Sequence, residues 1–254
     1  MIVQAEGVSV RRGARRVVEA LSLTVRAGEL VGLLGPNGAG KTSLLRALCD
    51  LDPLDAGRVT YDGRTPAEIG RRAFGRTLAY LPQSGRIHWP LPVEEVVALG
   101  RLPFGAAQVD DAVRRAMTAA DVLDLSGRPT GSLSGGERAR VLLARALAVE
   151  APVLLADEPV AALDPYHQLQ VMELLRATAR AGTAVVAVLH DLTLAGRFCD
   201  RLAVMADGRL KAEGLARDVL ASDTVEAAFG VTLARGMRDG EPYVIPWRRA
   251  GEGP

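Results

Sequence analysis

A glycine-rich loop at residues 35–42 constrains this chain of 254 residues more than any other segment. It matches the phosphate-binding pattern G-x-x-x-x-G-K-[ST] with Gly35, Pro36, Asn37, Gly38, Ala39, Gly40, Lys41 and Thr42. The apolar run at 30–34 before it predicts a buried strand, and leucines near helical spacing after it predict a helix. Because the motif requires this strand-loop-helix setting, the loop indicates a phosphate site rather than a chance glycine-rich turn.

The residue types of the loop predict a nucleotide site with Mg²⁺. The glycines let successive backbone N–H groups turn inward around a phosphate, where a Cβ atom would intrude. The helix begins at the same place, so the positive end of its dipole faces the anion. Lys41 can reach the β- and γ-phosphates, the Thr42 hydroxyl can ligate Mg²⁺, and Ser43 completes the predicted ATP-binding stretch.

Composition limits what kind of protein carries this loop. Hydrophobic residues make up 48% of the chain, which allows a sizeable core and argues against general disorder. The formal net charge of +1 gives no bias toward nucleic acid or anionic lipid. Cys49 and Cys199 have no metal-ligand spacing, which suits a reducing compartment. We expect no signal peptide and no membrane span, so the protein should be soluble or held at a membrane by a partner.

Strand and helix patterns predict an α/β fold with a mainly parallel sheet. Residues 2–10 and 17–25 favour two strands joined by a turn, and strands beyond the loop alternate with helices, which implies right-handed crossovers. Residues 93–147 are mostly helical in pattern. We expect one unit over 1–254, made of a nucleotide-binding core (1–83 and 148–214), a helical subdomain (84–147), and a C-terminal helix and hairpin (215–254).

Two carboxylates follow the apolar strand predicted at 153–156. Asp157 can hold Mg²⁺ directly or through water, and Glu158 can orient and polarise an attacking water molecule. An acidic pair after a strand is commonplace by itself. Together with a phosphate loop it indicates nucleotide hydrolysis.

Three further elements have both a functional and a structural interpretation. Residues 133–137 (Leu-Ser-Gly-Gly-Glu) open a predicted helix that could hold a second phosphate, but they could equally form an ordinary helix cap. His190 ends the strand predicted at 183–189, on the sheet edge that carries Asp157, and is otherwise a structural histidine. Gln83 follows a strand in the same way and could contact Mg²⁺ or water.

Taken together, these elements resemble the ATP-binding-cassette (ABC) ATPases, in the family's order and over nearly the whole chain. Besides the phosphate loop, they are the glutamine loop (Gln83), the signature (133–137), the two carboxylates (Asp157 and Glu158), the partner-contacting loop (Ala162-Leu163-Asp164) and the switch histidine (His190). The resemblance implies a P-loop NTPase core of the RecA-like kind with an antiparallel β edge and a helical insert. It also implies ATP hydrolysis with Lys41, Glu158 and His190 as catalytic residues, and Mg²⁺ held by Thr42, Gln83 and Asp157.

Two positions depart from the family's pattern. The family usually has an aromatic residue near position 12 that stacks on adenine, whereas this chain has Arg12. A planar guanidinium can also stack on a base, so we expect Arg12 to contact the adenine. Ala161 stands where a serine is common, which implies slightly weaker coupling between subunits.

The resemblance implies a head-to-tail homodimer, because family members bind each ATP between the phosphate loop of one chain and the signature of the other. The second chain then supplies Ser134, Gly135, Gly136 and Glu137 to each site. The single cassette also implies separate integral membrane permease subunits, with a substrate-binding protein, and a peripheral position on the cytoplasmic face of the inner membrane. No nucleic-acid partner is expected.

Four segments are similar to the importers of ferric siderophores, haem and cobalamin: 91–101, 190–198, 229–231 and 243–246. Importers of zinc or manganese share much of the same pattern and are the alternative. A soluble cassette ATPase acting on DNA or ribosomes would usually carry a long coiled-coil arm or two fused cassettes, so the sequence does not favour that class. A simple kinase would not need the signature, so the sequence does not favour a kinase either. In importers, the region with His88 and Trp89 meets a short helix of the membrane subunit, although Trp89 could equally be a core residue of the insert.

Overall fold

The computed structural model describes residues 1–83, 91–105 and 107–251, so the predicted partner contact at His88 and Trp89 lies outside it. Within these residues the strands are β1 (Ile2–Arg12), β2 (Arg15–Arg26), β3 (Leu30–Leu34), β4 (Ala56–Tyr61), β5 (Leu78–Leu81), β6 (Val153–Asp157), β7 (Ala184–Val188), β8 (Arg201–Ala206), β9 (Arg209–Leu215), β10 (Val231–Arg238) and β11 (Glu241–Arg249). The helices are α1 (Lys41–Leu48), α2 (Pro66–Ile69), α3 (Arg71–Thr77), α4 (Val93–Ala98), α5 (Asp111–Ala119), α6 (Gly135–Leu147), α7 (Pro165–Arg180), α8 (Leu192–Phe198), α9 (Ala216–Ala221) and α10 (Asp223–Phe229).

The central sheet brings strand ends from distant parts of the sequence side by side. In the described part of the chain it has the strand order β5-β6-β7-β3-β8-β9, with only β9 antiparallel to its neighbour. β3, β6 and β7 are buried along their whole length, which explains their continuous apolar sequences. Because their carboxyl ends share one edge, the loop after β3 meets Asp157 of β6 and His190 beyond β7 there.

Apolar side chains cover both faces of the central sheet. On one face, α1 and the antiparallel sheet β2-β1-β4 pack with inward residues of β3 such as Val31 and Leu33. On the other face, α6, α7, α8 and α9 pack against the alternate residues Leu30 and Leu34. A fully buried leucine or valine stabilises the fold by about 1.5–3 kcal/mol relative to exposure. The edge that carries the site is therefore fixed between two packed layers.

The helical segment has a core of its own, built from α4, α5 and α6. α6 belongs to two clusters: Val141 and Ala144 face this core, whereas Leu142 and Leu143 face the central sheet. One shared helix thus connects the helical segment to the strands.

The structure confirms the predicted α/β class, the mainly parallel sheet and the antiparallel edge. The first two strands run further than predicted, to the pair Arg12 and Arg15, and leave only Gly13-Ala14 as the turn. The C-terminal segment has two helices where the sequence predicts one, followed by the predicted hairpin with its turn at Asp239-Gly240. β9, α2 and α3 have no counterpart among the predictions, because none of them has a continuous apolar pattern. None of the described helices is both long and apolar enough to cross a bilayer.

Candidate nucleotide-binding site

A pocket of about 600 Å³ opens at the carboxyl edge of the central sheet. Residues 37–43, from the phosphate loop and the start of α1, line it. The other lining residues are Arg15, Val17, Gln83, Glu158 and His190. The fold thus brings three residues that the sequence predicts for hydrolysis or metal binding, Gln83, Glu158 and His190, to the loop that follows β3.

The backbone of the phosphate loop accepts only glycine at two positions. Gly35 has a φ of +146°, and a Cβ there would lie 2.1 Å from the carbonyl oxygen of Met205. Gly40 has a φ of +98°, and a Cβ there would lie 2.2 Å from the carbonyl oxygen of Val17. The loop therefore passes tightly between β8 and β2. Since α1 begins directly after Gly40, the positive end of its dipole lies at the pocket.

Lys41 holds a positive charge inside the loop. Its side chain is buried, and Nζ donates hydrogen bonds to the carbonyl oxygens of Gly35 (2.6 Å) and Pro36 (2.9 Å). Burial lowers the pKa of Lys41, and the nearby carboxylates of Glu158 and Asp157 act in the opposite direction. A bound phosphate could accept hydrogen bonds from this ammonium group in place of the two carbonyl oxygens.

Asp157 and Thr42 present oxygen atoms that fit a divalent cation. Asp157 is 1% exposed, and its Oδ1 has no hydrogen-bond partner among the described residues. Burial raises the pKa of Asp157, while a hydrogen bond with the Thr42 side chain lowers it. The hydroxyl of Tyr80 lies 3.5 Å from Oδ2. An unpaired buried carboxylate oxygen is costly, and a hard cation such as Mg²⁺ would satisfy it together with the Thr42 hydroxyl.

Glu158 and His190 form a polar pair that lines the same pocket. His190 Nε2 lies 2.8 Å from Glu158 Oε1, and the glutamate side chain is only 15% exposed. Glu158 has a φ of +54°, a left-handed conformation that is uncommon for a residue other than glycine. The chain therefore turns sharply after β6. In this position the Glu158 carboxylate can accept a proton from water, and the imidazole can orient the carboxylate.

The signature residues form a helix cap in this chain. Ser134 Oγ accepts a hydrogen bond from Glu137 N (3.2 Å), and Glu137 Oε2 accepts one from Ser134 N (2.7 Å). Hydrogen bonds to the Glu137 carboxylate from the backbone and the side chain of Ser134 lower the pKa of Glu137, with a further contribution from Arg128. None of residues 134–137 lines the phosphate-loop pocket within the described chain; Gly135 borders a separate, smaller pocket. The structure therefore does not bring the signature to this chain's own loop.

The arginines of the first hairpin differ in their contacts, and adenine binding by Arg12 stays a prediction. The Arg12 guanidinium pairs with Asp52 at 3.2 Å, and Arg12 is not among the described residues that line the pocket. Arg11 and Arg16 both pair with Asp55. Among these four arginines, only the Arg15 side chain lacks a hydrogen-bond or ion-pair partner in the described structure, and Arg15 does line the pocket.

Asp164, in the predicted partner-contacting loop, caps α7. Its Oδ1 accepts a hydrogen bond from His167 N (3.0 Å), and Oδ2 lies 2.8 Å from His167 Nδ1. Both hydrogen bonds to His167 lower the pKa of Asp164. This loop therefore has a local structural role in the single chain.

Sequence reasoning did not single out Val17, Arg15 or Tyr80. Arg15 and Val17 are two residues apart on β2, so they lie on the same face of the strand. This two-residue spacing is the sequence signal that could have placed both residues at one site. Tyr80 lies on β5, three residues before Gln83. Its hydroxyl lies near Asp157 only because of the register in which β5 pairs with β6.

Comparisons with known proteins identify the family of this chain. The ABC transporter family model matches residues 18–161, which is more than half of the chain. The hemin import ATP-binding protein HmuV of Pseudomonas aeruginosa is 43% identical, over 96% of this chain and 99% of that protein. The cobalamin import ATP-binding protein BtuD of Halobacterium salinarum is 44% identical, over 93% of this chain and 61% of that protein.

Solved structures with the same fold include a dimeric one. The dimeric structure of MJ0796, a bacterial ABC transporter cassette, has a TM-score of 0.76 and 26% identity over 85% of this chain and 99% of that one. The ATP-binding subunit of another ABC transporter has a TM-score of 0.77 at 24% identity, over 91% of this chain and 96% of that one, which shows the fold alone. The resemblance drawn from the motifs is confirmed, and the chain belongs to the ABC transporter family as an ATP-binding, ATP-hydrolysing subunit.

Proposed function

We propose that this chain hydrolyses ATP to drive a bacterial importer of haem, a ferric siderophore or cobalamin. The meeting of the phosphate loop with Glu158 and His190 in one pocket is the observation that carries the hydrolytic part. The names of the hemin and cobalamin import relatives, at 43% and 44% identity, support the cargo class. A zinc or manganese importer is the alternative.

The residues of the pocket have different roles in ATP hydrolysis. Lys41 and the N–H groups of the phosphate loop bind the β- and γ-phosphates, and Ser43 continues this contact at the start of α1. Thr42 and Asp157, with Gln83, would hold Mg²⁺, which would neutralise charge on the phosphate oxygens. Glu158 accepts a proton from the water that attacks the γ-phosphorus, while His190 holds the Glu158 carboxylate in place. The bond from the γ-phosphorus to the bridging oxygen breaks, and ADP and inorganic phosphate leave.

A second copy of the chain completes each site in this proposal. Residues 134–137 lie outside the phosphate-loop pocket of their own chain, which supports their use by the nucleotide of a partner in a head-to-tail dimer. The γ-phosphate then binds the closed dimer better than the open one, so hydrolysis reopens it. The cycle would move integral permease subunits that work with a substrate-binding protein. The chain would lie on the cytoplasmic face of the membrane, with no nucleic-acid partner.

Reconstitution tests the transport assignment. The chain is combined in vesicles with a candidate permease and binding protein from the same organism, and ATP hydrolysis is measured with haem, a ferric siderophore, cobalamin or Zn²⁺ present. We expect the permease to stimulate hydrolysis and one of the first three cargoes to increase it further. Stimulation by Zn²⁺ alone would favour the alternative, and stimulation by DNA in place of the permease would contradict transport.

Replacing Arg15 tests which hairpin arginine binds the nucleotide. We propose that Arg15 stacks on the base, because it lines the pocket and has no carboxylate partner among the described residues. Arg15→Ala should weaken ATP binding about fivefold, as expected for loss of a cation–π contact that is partly shielded from water. Arg12→Ala, the matched control, should leave ATP affinity unchanged because Asp52 already holds Arg12. Equilibrium binding of a fluorescent ATP analogue measures both, and the reverse order of effects would support Arg12 as the stacking residue instead.

A further inference from the structure

The position of His190 depends on α8, the helix that begins two residues after it. Asp191 caps this helix, its Oδ1 accepting a hydrogen bond from Leu194 N at 2.8 Å. The C-terminal hairpin, β10 with β11, packs against α8 through β11. What holds α8 therefore also holds the residue that contacts Glu158.

Thr193 joins α8 to the hairpin through two hydrogen bonds with a single residue. Its hydroxyl donates to the Val244 carbonyl oxygen (2.9 Å) and accepts from the Val244 N–H (3.0 Å). Val244 is 5% exposed, so without this hydroxyl both of its backbone groups would be buried and unpaired. One hydroxyl thus takes the place of a neighbouring strand at the edge of β11 and fixes the register between helix and hairpin.

The hairpin is itself anchored on both sides of this contact. Arg197 at the end of α8 forms an ion pair with Glu241 at 2.6 Å. From β10, Arg235 donates to the carbonyl oxygen of Leu220 in α9 (2.8 Å) and pairs with Glu226 of α10 (2.9 Å). The hairpin therefore connects α8 to two further helices and cannot slide without breaking charged contacts.

We propose that Thr193 is a positioning residue for ATP hydrolysis, which makes the C-terminal hairpin a brace for His190. The brace holds α8 so that His190 Nε2 stays at 2.8 Å from Glu158 Oε1, a distance that a shift of about 1 Å would carry out of hydrogen-bond range. The hairpin lies outside the pocket and acts only through α8. This inference rests on the proposed role of His190 in hydrolysis.

The test compares Thr193→Val with Thr193→Ser in the full chain. Valine keeps the shape but removes the hydroxyl, whereas serine keeps the hydroxyl. We expect Thr193→Val to lower kcat about tenfold, since misplaced catalytic groups carry such penalties, and to leave ATP affinity within about twofold. Thr193→Ser should restore kcat to within about twofold of the unmodified chain. Thr178→Val, which removes a hydroxyl bonded to Leu174 O within α7, should leave kcat unchanged.

A double-mutant cycle separates positioning from general destabilisation. If the brace acts through His190, Thr193→Val should cause no further loss beyond about twofold in a His190→Ala background, measured by release of labelled phosphate. An equal loss in both backgrounds, or an unchanged kcat in the Thr193→Val single variant, would overturn the brace. An unchanged kcat in His190→Ala would instead remove His190 from the proposed mechanism, and the brace with it.

Discussion

Glu158→Gln should bind ATP as tightly as the unmodified chain but hydrolyse it at least about 100-fold more slowly. Glutamine keeps the size of the side chain and can still contact His190, but it cannot take a proton from water, and general-base catalysis contributes about 10²–10⁴ in rate. Because the γ-phosphate then persists, the ATP-bound dimer should accumulate. Phosphate release measures the rate, and size-exclusion chromatography with light scattering in ATP and Mg²⁺ measures the dimer.

Glu173→Gln is the matched control for this substitution. Glu173 lies on the exposed side of α7, so its exchange should change neither turnover nor assembly. An unaltered turnover in Glu158→Gln would exclude Glu158 as the base. A variant that hydrolyses slowly but remains monomeric with ATP and Mg²⁺, even with its permease present, would contradict the proposed dimer.

Gly40→Ala should unfold more easily and lose most of its ATP binding. Alanine at a φ of +98° is strained, and its Cβ would lie 2.2 Å from the Val17 carbonyl oxygen, so either the loop or β2 must move. Left-handed backbone and overpacking each cost about 1–2 kcal/mol, which together correspond to a fall in Tm of about 5–10 °C for a chain of this size. Differential scanning calorimetry without nucleotide measures the stability, and isothermal titration with ATP measures the binding.

Gly38→Ala isolates the contribution of the clash. Gly38 has a φ of +79° in the same loop, but a Cβ there meets nothing within 4 Å. Its Tm should fall by only about 3 °C, because backbone strain is then the one cost. Equal losses of Tm in the two variants would show that the close approach of β2 to the loop does not matter for stability.

The parts of the site that sequence could predict are those in which chemistry itself dictates spacing. A phosphate loop needs its glycines, Lys41 and Thr42 in order between a strand and a helix, so the pattern is visible in one dimension. The meeting of Asp157 and His190 with that loop follows from parallel strands, whose carboxyl ends share an edge. Alternating strands and helices already implied that topology.

The parts that sequence could not predict depend on contacts between distant elements. Arg12 and Arg15 are the same residue type on one hairpin, and they differ because Asp52, which follows α1, lies within reach of the first. The bond between Thr193 and Val244 joins residues 51 positions apart, a helix and a strand edge with no shared periodicity. Neither contact has a local pattern, so packing alone decides it.

α6 packs into two hydrophobic cores, so a movement of this helix would affect both of them. It starts beside Ser134 and runs for 13 residues, about 20 Å, with its side chains set into two different cores. Gly135 and Leu142 of this helix border the same small pocket as Gln83, at the end of β5. A displacement of the first turn of α6 would therefore alter the pocket that Gln83 also lines, so a neighbouring molecule that moved the signature would affect the surroundings of Gln83.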